Sequence, residues 1–342
     1  MLDSFLISSD IQRKWIEKFK TIEDTFKQRA AKEDIDSKFP FDNIKWLVEE
    51  GYSVLTLPKS YGGEGATIED MVVLQSYLGA IDGATALSIG WHLSVVGQLY
   101  QQHMWSQTML DQFAKEVKNG ALVNRAVSEA DTGSPTRGGR PATHAIKTKD
   151  GYKLNGVKTF TSMSKALTHY IVAAFVEDIQ EVGFFLIPRE SKGLEIADNW
   201  NMLGMRATES HDLVLNDVIV PFENFVETKH KPQPNGWILH IPSVYLGIAQ
   251  AARDYAIEFA KTHSPNSIDG TIATLPTVQQ NVGKMESLLL SARHFLWSTA
   301  RGYNQYNETL NIWNETSASK ILVMNQGLEV VDLAMRIVGA KS

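Results

Sequence analysis

The chain has 342 residues, 43% of them hydrophobic, which is more apolar material than one small core needs and enough for two or three packed domains. Thirty-three Lys and Arg against thirty-nine Asp and Glu give a net charge of −6, which argues against a general polyanion surface and against nucleic acid as a partner. The absence of cysteine removes disulfides, thiol nucleophiles, iron–sulfur clusters and thiolate zinc sites together. Nine histidines are present without a His-Glu-x-x-His or comparable spacing, so no metal site is expected, and any redox chemistry falls to an organic cofactor.

Residues 11–119 carry apolar positions three and four apart, as in Trp15, Phe19, Ile22 and Phe26 and again in Met71, Leu74 and Leu78. That period predicts an all-helical segment. Its main interruption is Pro58-Lys-Ser-Tyr61-Gly62-Gly63-Glu-Gly65, where a proline and three glycines rule out continuous helix. The opening Met-Leu-Asp-Ser-Phe, with Asp10, Arg13 and Lys14 soon after, has neither the basic start and apolar stretch nor the cleavage site of a signal peptide. The longest apolar run, Tyr170 to Val176, is far short of the roughly 20 residues a membrane-spanning helix needs. A cytoplasmic protein without a membrane span is the expectation.

From about Ala121 the pattern shifts to short apolar runs at 121–127, 143–149, 170–176, 182–187 and 212–218, with Asp150-Gly151 as a tight hairpin turn between two alternating segments. This predicts a β domain whose last strand ends near Pro221. After the polar, proline-bearing linker from Lys229 to Pro234, helical periods return. Val244, Ile248, Ala251, Tyr255 and Phe259 form one face, Val282, Met285, Leu289, Ala292 and Leu296 another, and a third helix covers 311–337. The expected boundaries are 1–119 helical, 120–228 β and 229–342 helical. This is not the βαβ alternation of a dinucleotide-binding fold, and the terminal Gly339-Ala340-Lys341-Ser342 lacks the upstream glycine of a phosphate loop.

Four segments, in order, resemble the acyl-CoA dehydrogenase superfamily across nearly the whole chain. They are Pro58-x-x-Tyr61-Gly62-Gly63-x-Gly65; Arg125-Ala-Val127-Ser128-Glu129-Ala130-Asp131-Thr132-Gly133-Ser134, similar to the family's Thr-Glu-Pro-x-Ala-Gly-Ser; Leu154-Asn155-Gly156-Val157-Lys158-Thr159-Phe160-Thr161-Ser162, similar to Leu-Asn-Gly-x-Lys-x-Trp-Ile-Thr; and Gly204-Met205-Arg206-Ala207-Thr208-Glu209-Ser210 with the strand after it. The resemblance implies an α+β fold: a helical N-terminal domain, a middle β-barrel or sandwich, and a C-terminal helical bundle, here incomplete at its C-terminal end. It implies bound FAD, or FMN in a monooxygenase, with Arg125, Val127, Ser128, Gly133, Ser134, Phe160, Thr161 and Ser162 around the flavin and Ser134 also facing substrate. Small hydroxyl residues donate to ring or phosphate oxygens at little entropic cost, and an aromatic wall suits the ring's apolar face. Phe160 could equally be sheet core, and the fourth segment reads as mainly architectural, with Arg206 as readily a structural partner as a ligand.

The activity implied is α,β-dehydrogenation of an acyl-CoA thioester, with an electron-accepting flavoprotein as partner and assembly to a homotetramer or homodimer. Departures sit at the base. No carboxylate is evident: an ungapped alignment puts Trp237 at one position where some members carry it, Ile238 and His263 at positions of two family arginines, and the chain stops at Ser342 before the segment where most members carry it. The stretch Leu275–Glu286 looks more like the superfamily's flavin monooxygenase branch, which includes dibenzothiophene monooxygenase-like proteins that take reduced flavin from a reductase and use histidine or serine near the ring. Ser162 and His92 are the weak catalytic candidates on that alternative. A flavin-binding protein without turnover is the third reading.

Overall fold

The computed structural model describes residues 7–133, 139–228, 235–306 and 310–341. Helices α1 (Asp10–Asp36), α2 (Phe41–Glu49), α3 (Ile68–Ile81), α4 (Gly83–Gln101) and α5 (Gln107–Lys118) come first. Strands β1 (Val123–Ala126), β2 (His144–Lys147), β3 (Tyr152–Lys158), β4 (His169–Val176), β5 (Glu181–Pro188), β6 (Leu194–Ile196), β7 (Leu213–Val220) and β8 (Phe225–Thr228) follow, then α6 (His240–Thr262), α7 (Pro276–Tyr306) and α8 (Leu310–Val338). The predicted linker 229–234 lies outside the described residues.

These elements gather into two compact units. The first takes Met1–Lys27, Thr67–Leu87 and Pro234–Ser342; the second takes Gln28–Ala66 and Ser88–Gln233. In the first, Thr67 and Asp70 close a capping box that starts α3, and the Asp70 carboxylate also accepts from Ser9 Oγ and Gln12 Nε2, tying α1 to that helix end. Backbones of α3 and α6 come together at Gly79 and Gly247, where a Cβ would stand 2.7 Å from Val244 O and 2.2 Å from Ser76 O. The face of α7 through Met285, Leu289, Ala292 and Leu296 is buried within the chain, as its period predicts. Leu289 and Leu296 therefore need no second subunit to cover them. The face assigned to α6 is corrected: Val244 is buried, but Tyr255 is exposed, and Leu246, Gly247, Ala249, Ala256 and Ala260 supply the rest of the buried side. Small residues let the helix pack closely, so the buried stripe follows alanine and glycine rather than the largest side chains.

In the second unit the eight strands among the described residues form one sheet, seven of them along the path β6-β7-β3-β2-β4-β5-β8, with β1 off it on β4. β1 and β2 share one edge of β4: residues 123–126 run parallel to 169–172, and His144 and Ala145 pair with Phe175 and Val176. Residues 127–133 follow β1 and residues 139–143 precede β2, so the chain leaves β1 and returns to β2 where that edge passes from one strand to the other. The sheet curls, because Tyr152 of β3 meets Phe185 of β5 and Phe225 of β8 at ring separations of 5.3 and 5.4 Å although other strands lie between them in the path. The hairpin at Asp150-Gly151 is present as a four-residue turn, Thr148 to Gly151, with Gly151 at φ +144, where a side chain would run into Val220 O. The sheet continues past Pro221 into β8. One face packs on α4 and α5 through Val96, Leu99, Phe113 and Val117 against Val123, Ile171 and Leu186. Among the described residues, no helix is long and apolar enough to cross a membrane.

Candidate functional site

The second and third motifs meet at the place where the chain leaves the sheet after β1. Ser128 O accepts the Thr159 amide at 2.8 Å, joining the two segments directly. Glu129 and Gly133 exchange both backbone hydrogen bonds, so 129–133 closes into a small turn with Gly133 at φ +69 and open space where a side chain would stand. Val127 and Ser128 are half-buried at its base. Ser134 lies outside the described residues.

A buried ion pair holds the two segments at one separation. Lys158 Nζ donates to Glu129 Oε1 at 2.6 Å, with the side chains 0 and 5% exposed. The same carboxylate accepts the Thr143 and Ala142 amides at 3.0 and 2.7 Å and the Thr132 hydroxyl at 2.5 Å. Burial pushes the Glu129 carboxyl up, but these donors, Lys158 foremost, outweigh it and bring its pKa down to about 2. Burial lowers the Lys158 pKa, and Glu129 offsets part of that. Every oxygen lone pair of Glu129 is thereby spent on the scaffold. The sequence analysis gave this residue no role, although a glutamate in the second motif and a lysine in the third were the available signal.

β3 ends at Lys158, and the chain turns sharply: Phe160 at φ +57 and Met163 at φ +50 bracket Thr161 and Ser162. Phe160 is 59% exposed and stands edge-on to Trp200, with centroids 6.0 Å apart and planes at 84°. It is not sheet core. Trp200 is fixed in turn by its indole N–H on Met205 O and its amide on His211 Nδ1, both at 3.0 Å. Because His211 Nδ1 also accepts the Asn199 amide, its proton sits on Nε2, facing Asp198 and Glu209. Burial lowers the His211 pKa, and Lys165 nearby lowers it further, which keeps the ring neutral.

The fourth motif lies against the third. Thr161 and Met163 amides donate to His211 O and Thr208 O at 3.2 and 2.9 Å, and Ser164 Oγ donates to Glu209 O at 2.8 Å. Met205 and Glu209 also have positive φ, so four of the eight non-glycine residues in that conformation among the described residues sit in these two facing segments. Such backbone costs on the order of 1–3 kcal/mol per residue and gathers where side chains must be aimed. Ser210 Oγ donates to Ser162 Oγ at 2.9 Å, and Thr161 Oγ1, fully buried, has no hydrogen-bond partner among the described residues. Arg206 keeps the architectural role: Nε donates to Asp34 O at 2.9 Å, a carbonyl at the end of α1 that also accepts the Ser37 amide.

Two predicted site residues are engaged elsewhere. The Arg125 guanidinium forms a two-pronged pair with Glu227, at 2.8 and 3.1 Å, beside the Phe184 ring, and Trp105 Nε1 donates to the same carboxylate at 2.7 Å. His92 is fully buried, with Nδ1 accepting the Val123 amide at 3.1 Å and Nε2 therefore donating to Ser53 O at 2.9 Å. Burial lowers its pKa to about 4 despite the Ser53 carbonyl, so the ring is a neutral peg between β1 and the chain before α3. Neither nitrogen is left for catalysis. Of the weak pair, Ser162 alone has a hydroxyl beside Phe160.

Helices, then a curled sheet, then helices, with an aromatic and a buried hydroxyl at the turn after the third strand, define the architecture of the acyl-CoA dehydrogenase class. Models for the acyl-CoA dehydrogenase N-terminal, middle and C-terminal domains match residues 12–110, 124–218 and 239–342. The Bacillus subtilis (strain 168) protein named "Putative acyl-CoA dehydrogenase YdbM" is 51% identical, over 99% of this chain and 90% of its own length. The chain belongs to the acyl-CoA dehydrogenase family. Its fold is shared with butyryl-CoA dehydrogenase from Megasphaera elsdenii (TM-score 0.86, 20% identity, 97% of this chain and 89% of that one). It is shared equally with FMN-bound TdsC from Paenibacillus sp. A11-2 (TM-score 0.85, 19% identity, 96% and 88%).

Proposed function

We propose that the chain is a flavin-dependent oxidoreductase that dehydrogenates an acyl-CoA thioester, with the flavin held beside Phe160 and Ser162. The observation that carries this reading is the joining of three separate motifs into one turn whose aromatic is open and whose hydroxyls are buried. The residues fit a flavin ring: Phe160, braced by Trp200, offers an apolar wall, Ser162 a directed hydroxyl, Thr161 Oγ1 a buried polar atom in want of a partner, and the 128–133 turn an uncrowded backbone. When bound, FAD supplies the hydride acceptor. The chain's own residues supply orientation: the Glu129–Lys158 pair fixes the spacing of the two segments, and the left-handed residues at 160 and 163 aim what lies between them.

A second reading, a monooxygenase that takes reduced flavin, is favoured by one observation. Trp237, at the aligned base position, is a buried indole that cannot remove a proton. Assembly to a dimer or tetramer belongs to the same proposal. Ile321, Leu328 and Met335 stand 63, 71 and 52% exposed at seven-residue intervals on α8, the spacing of a helix seam that packs against another helix.

The test is anaerobic titration of the FAD-loaded protein with short-, medium- and long-chain acyl-CoA thioesters. Bleaching of the flavin by at least one of them is the expected result. No bleaching by any, together with substrate-dependent oxygen uptake when a reductase supplies reduced flavin, would replace the first reading with the second.

A further inference from the structure

Three hydroxyls stand in line behind the site. Ser210 Oγ is 2.9 Å from Ser162 Oγ and 2.8 Å from Thr208 Oγ1, and Thr208 Oγ1 is 2.9 Å from Met205 O. Ser162, Ser210 and Thr208 are 7, 5 and 1% exposed, so bulk water does not compete for them. The roles assigned above use the Thr208 carbonyl and the Ser210–Ser162 contact, but not the Thr208 hydroxyl.

A hydroxyl has one proton and two lone pairs, so a line of three runs in one of two directions. In the outward sense Thr208 donates to Ser210 and Ser210 to Ser162, which leaves the Ser162 proton for an acceptor in the site. In the inward sense Ser162 donates to Ser210, Ser210 to Thr208 and Thr208 to Met205 O, which leaves a Ser162 lone pair facing the site. Met205 O sets the balance. It already receives the Trp200 indole N–H at 3.0 Å and the Thr208 amide at 3.2 Å, so the Thr208 hydroxyl is a third donor to an oxygen with two lone pairs. Its hold on the proton is correspondingly weak. Reversal needs only three hydroxyl rotations and no heavy-atom movement.

We propose that Thr208 and Ser210 are positioning residues that set, and can invert, the hydrogen-bond polarity Ser162 presents to the bound ring. The inference rests on the flavin reading above. A flavin's N5 is an acceptor when oxidised and bears a proton when reduced, so a reversible line serves both forms where a fixed one serves only one.

Thr208→Val removes the innermost hydroxyl and leaves the Ser210 proton with Ser162 Oγ as its acceptor, which locks the outward sense. The full chain is titrated anaerobically with oxidised FAD and with dithionite-reduced FAD. In Thr208→Val the affinity for the reduced form falls about three- to tenfold relative to the oxidised form, the worth of one neutral hydrogen bond. Thr208→Ser restores the wild-type ratio, and Thr208→Ala repeats the shift if valine disturbs the packing. In a Ser162→Ala background Thr208→Val changes the ratio no further. An unchanged ratio in both Thr208 variants, or a shift that persists without the Ser162 hydroxyl, overturns the relay while flavin binding stands. A wild-type chain that binds neither form of FAD overturns the flavin reading and the relay together.

Discussion

Replacing Lys158 with methionine keeps most of the side chain's length and removes its charge from a position that is 0% exposed. Glu129 is then left ionised and buried, with two amides and one hydroxyl but no counter-charge. Breaking a buried pair from one side costs about 3–5 kcal/mol, because the remaining charge is uncompensated, whereas exchanging both partners for neutral groups is often close to neutral. Lys158→Met should therefore lose about 3–5 kcal/mol at pH 7 by urea unfolding. The double variant Lys158→Met, Glu129→Gln should regain most of it. The pH dependence adds a signature. With a folded pKa of about 2 against the ordinary 4.5, Glu129 gives its full contribution above pH 4.5 and loses it as pH falls toward 2. Without Lys158 the remaining burial raises that pKa, so the variant's deficit should narrow as the pH is lowered from 7 to 5. A single variant within about 1 kcal/mol of wild type, well below the buried-pair range, or a double variant no better than the single, would refute the claim that this pair sets the spacing of the site.

Three further outcomes follow from particular contacts. Arg125→Met should destabilise by about 3–5 kcal/mol, since it leaves the buried Glu227 with Trp105 as its one side-chain donor among the described residues, yet leave FAD affinity unchanged in the folded protein; a selective loss of FAD would return Arg125 to the cofactor. Wild-type stability should fall between pH 6.5 and 4, because the unfolded chain protonates His92 in that window while the folded one, with a pKa of about 4, does not. His92→Asn should therefore be less stable than wild type by a margin that is smaller at pH 5 than at pH 7, and a margin independent of pH would contradict the neutral-peg assignment. Leu328→Asp should shift the assembled protein toward monomer in light scattering without loss of helix content, and an unchanged mass would mean that the α8 seam is not where copies meet.

The order of elements and the turn that carries the site were legible along the chain, because the signals involved act over two to four residues. Short apolar runs set apart β1, β2, β4, β5 and β7, a 3.6-residue period marked α7 and its buried face through Met285 and Leu296, and Asp150-Gly151 marked the hairpin. Phe160 and Ser162 share a site because they are neighbours on one tight turn, so their closeness needed no tertiary information. The partners of the charged and polar groups could not be read that way. Arg125 pairs with Glu227 across 102 positions, Ser210 reaches Ser162 across 48, and the buried His92 is held by a carbonyl 39 residues before it and an amide 31 residues after it. The same sequence motifs would serve a guanidinium free to bind phosphate or a histidine free to take a proton. What decides between those roles is the register with which β1 lies on β4 and the packing of the Thr208 segment against the turn after β3, since burial and the nearest opposite charge, both properties of the folded chain, fix which groups remain available for chemistry.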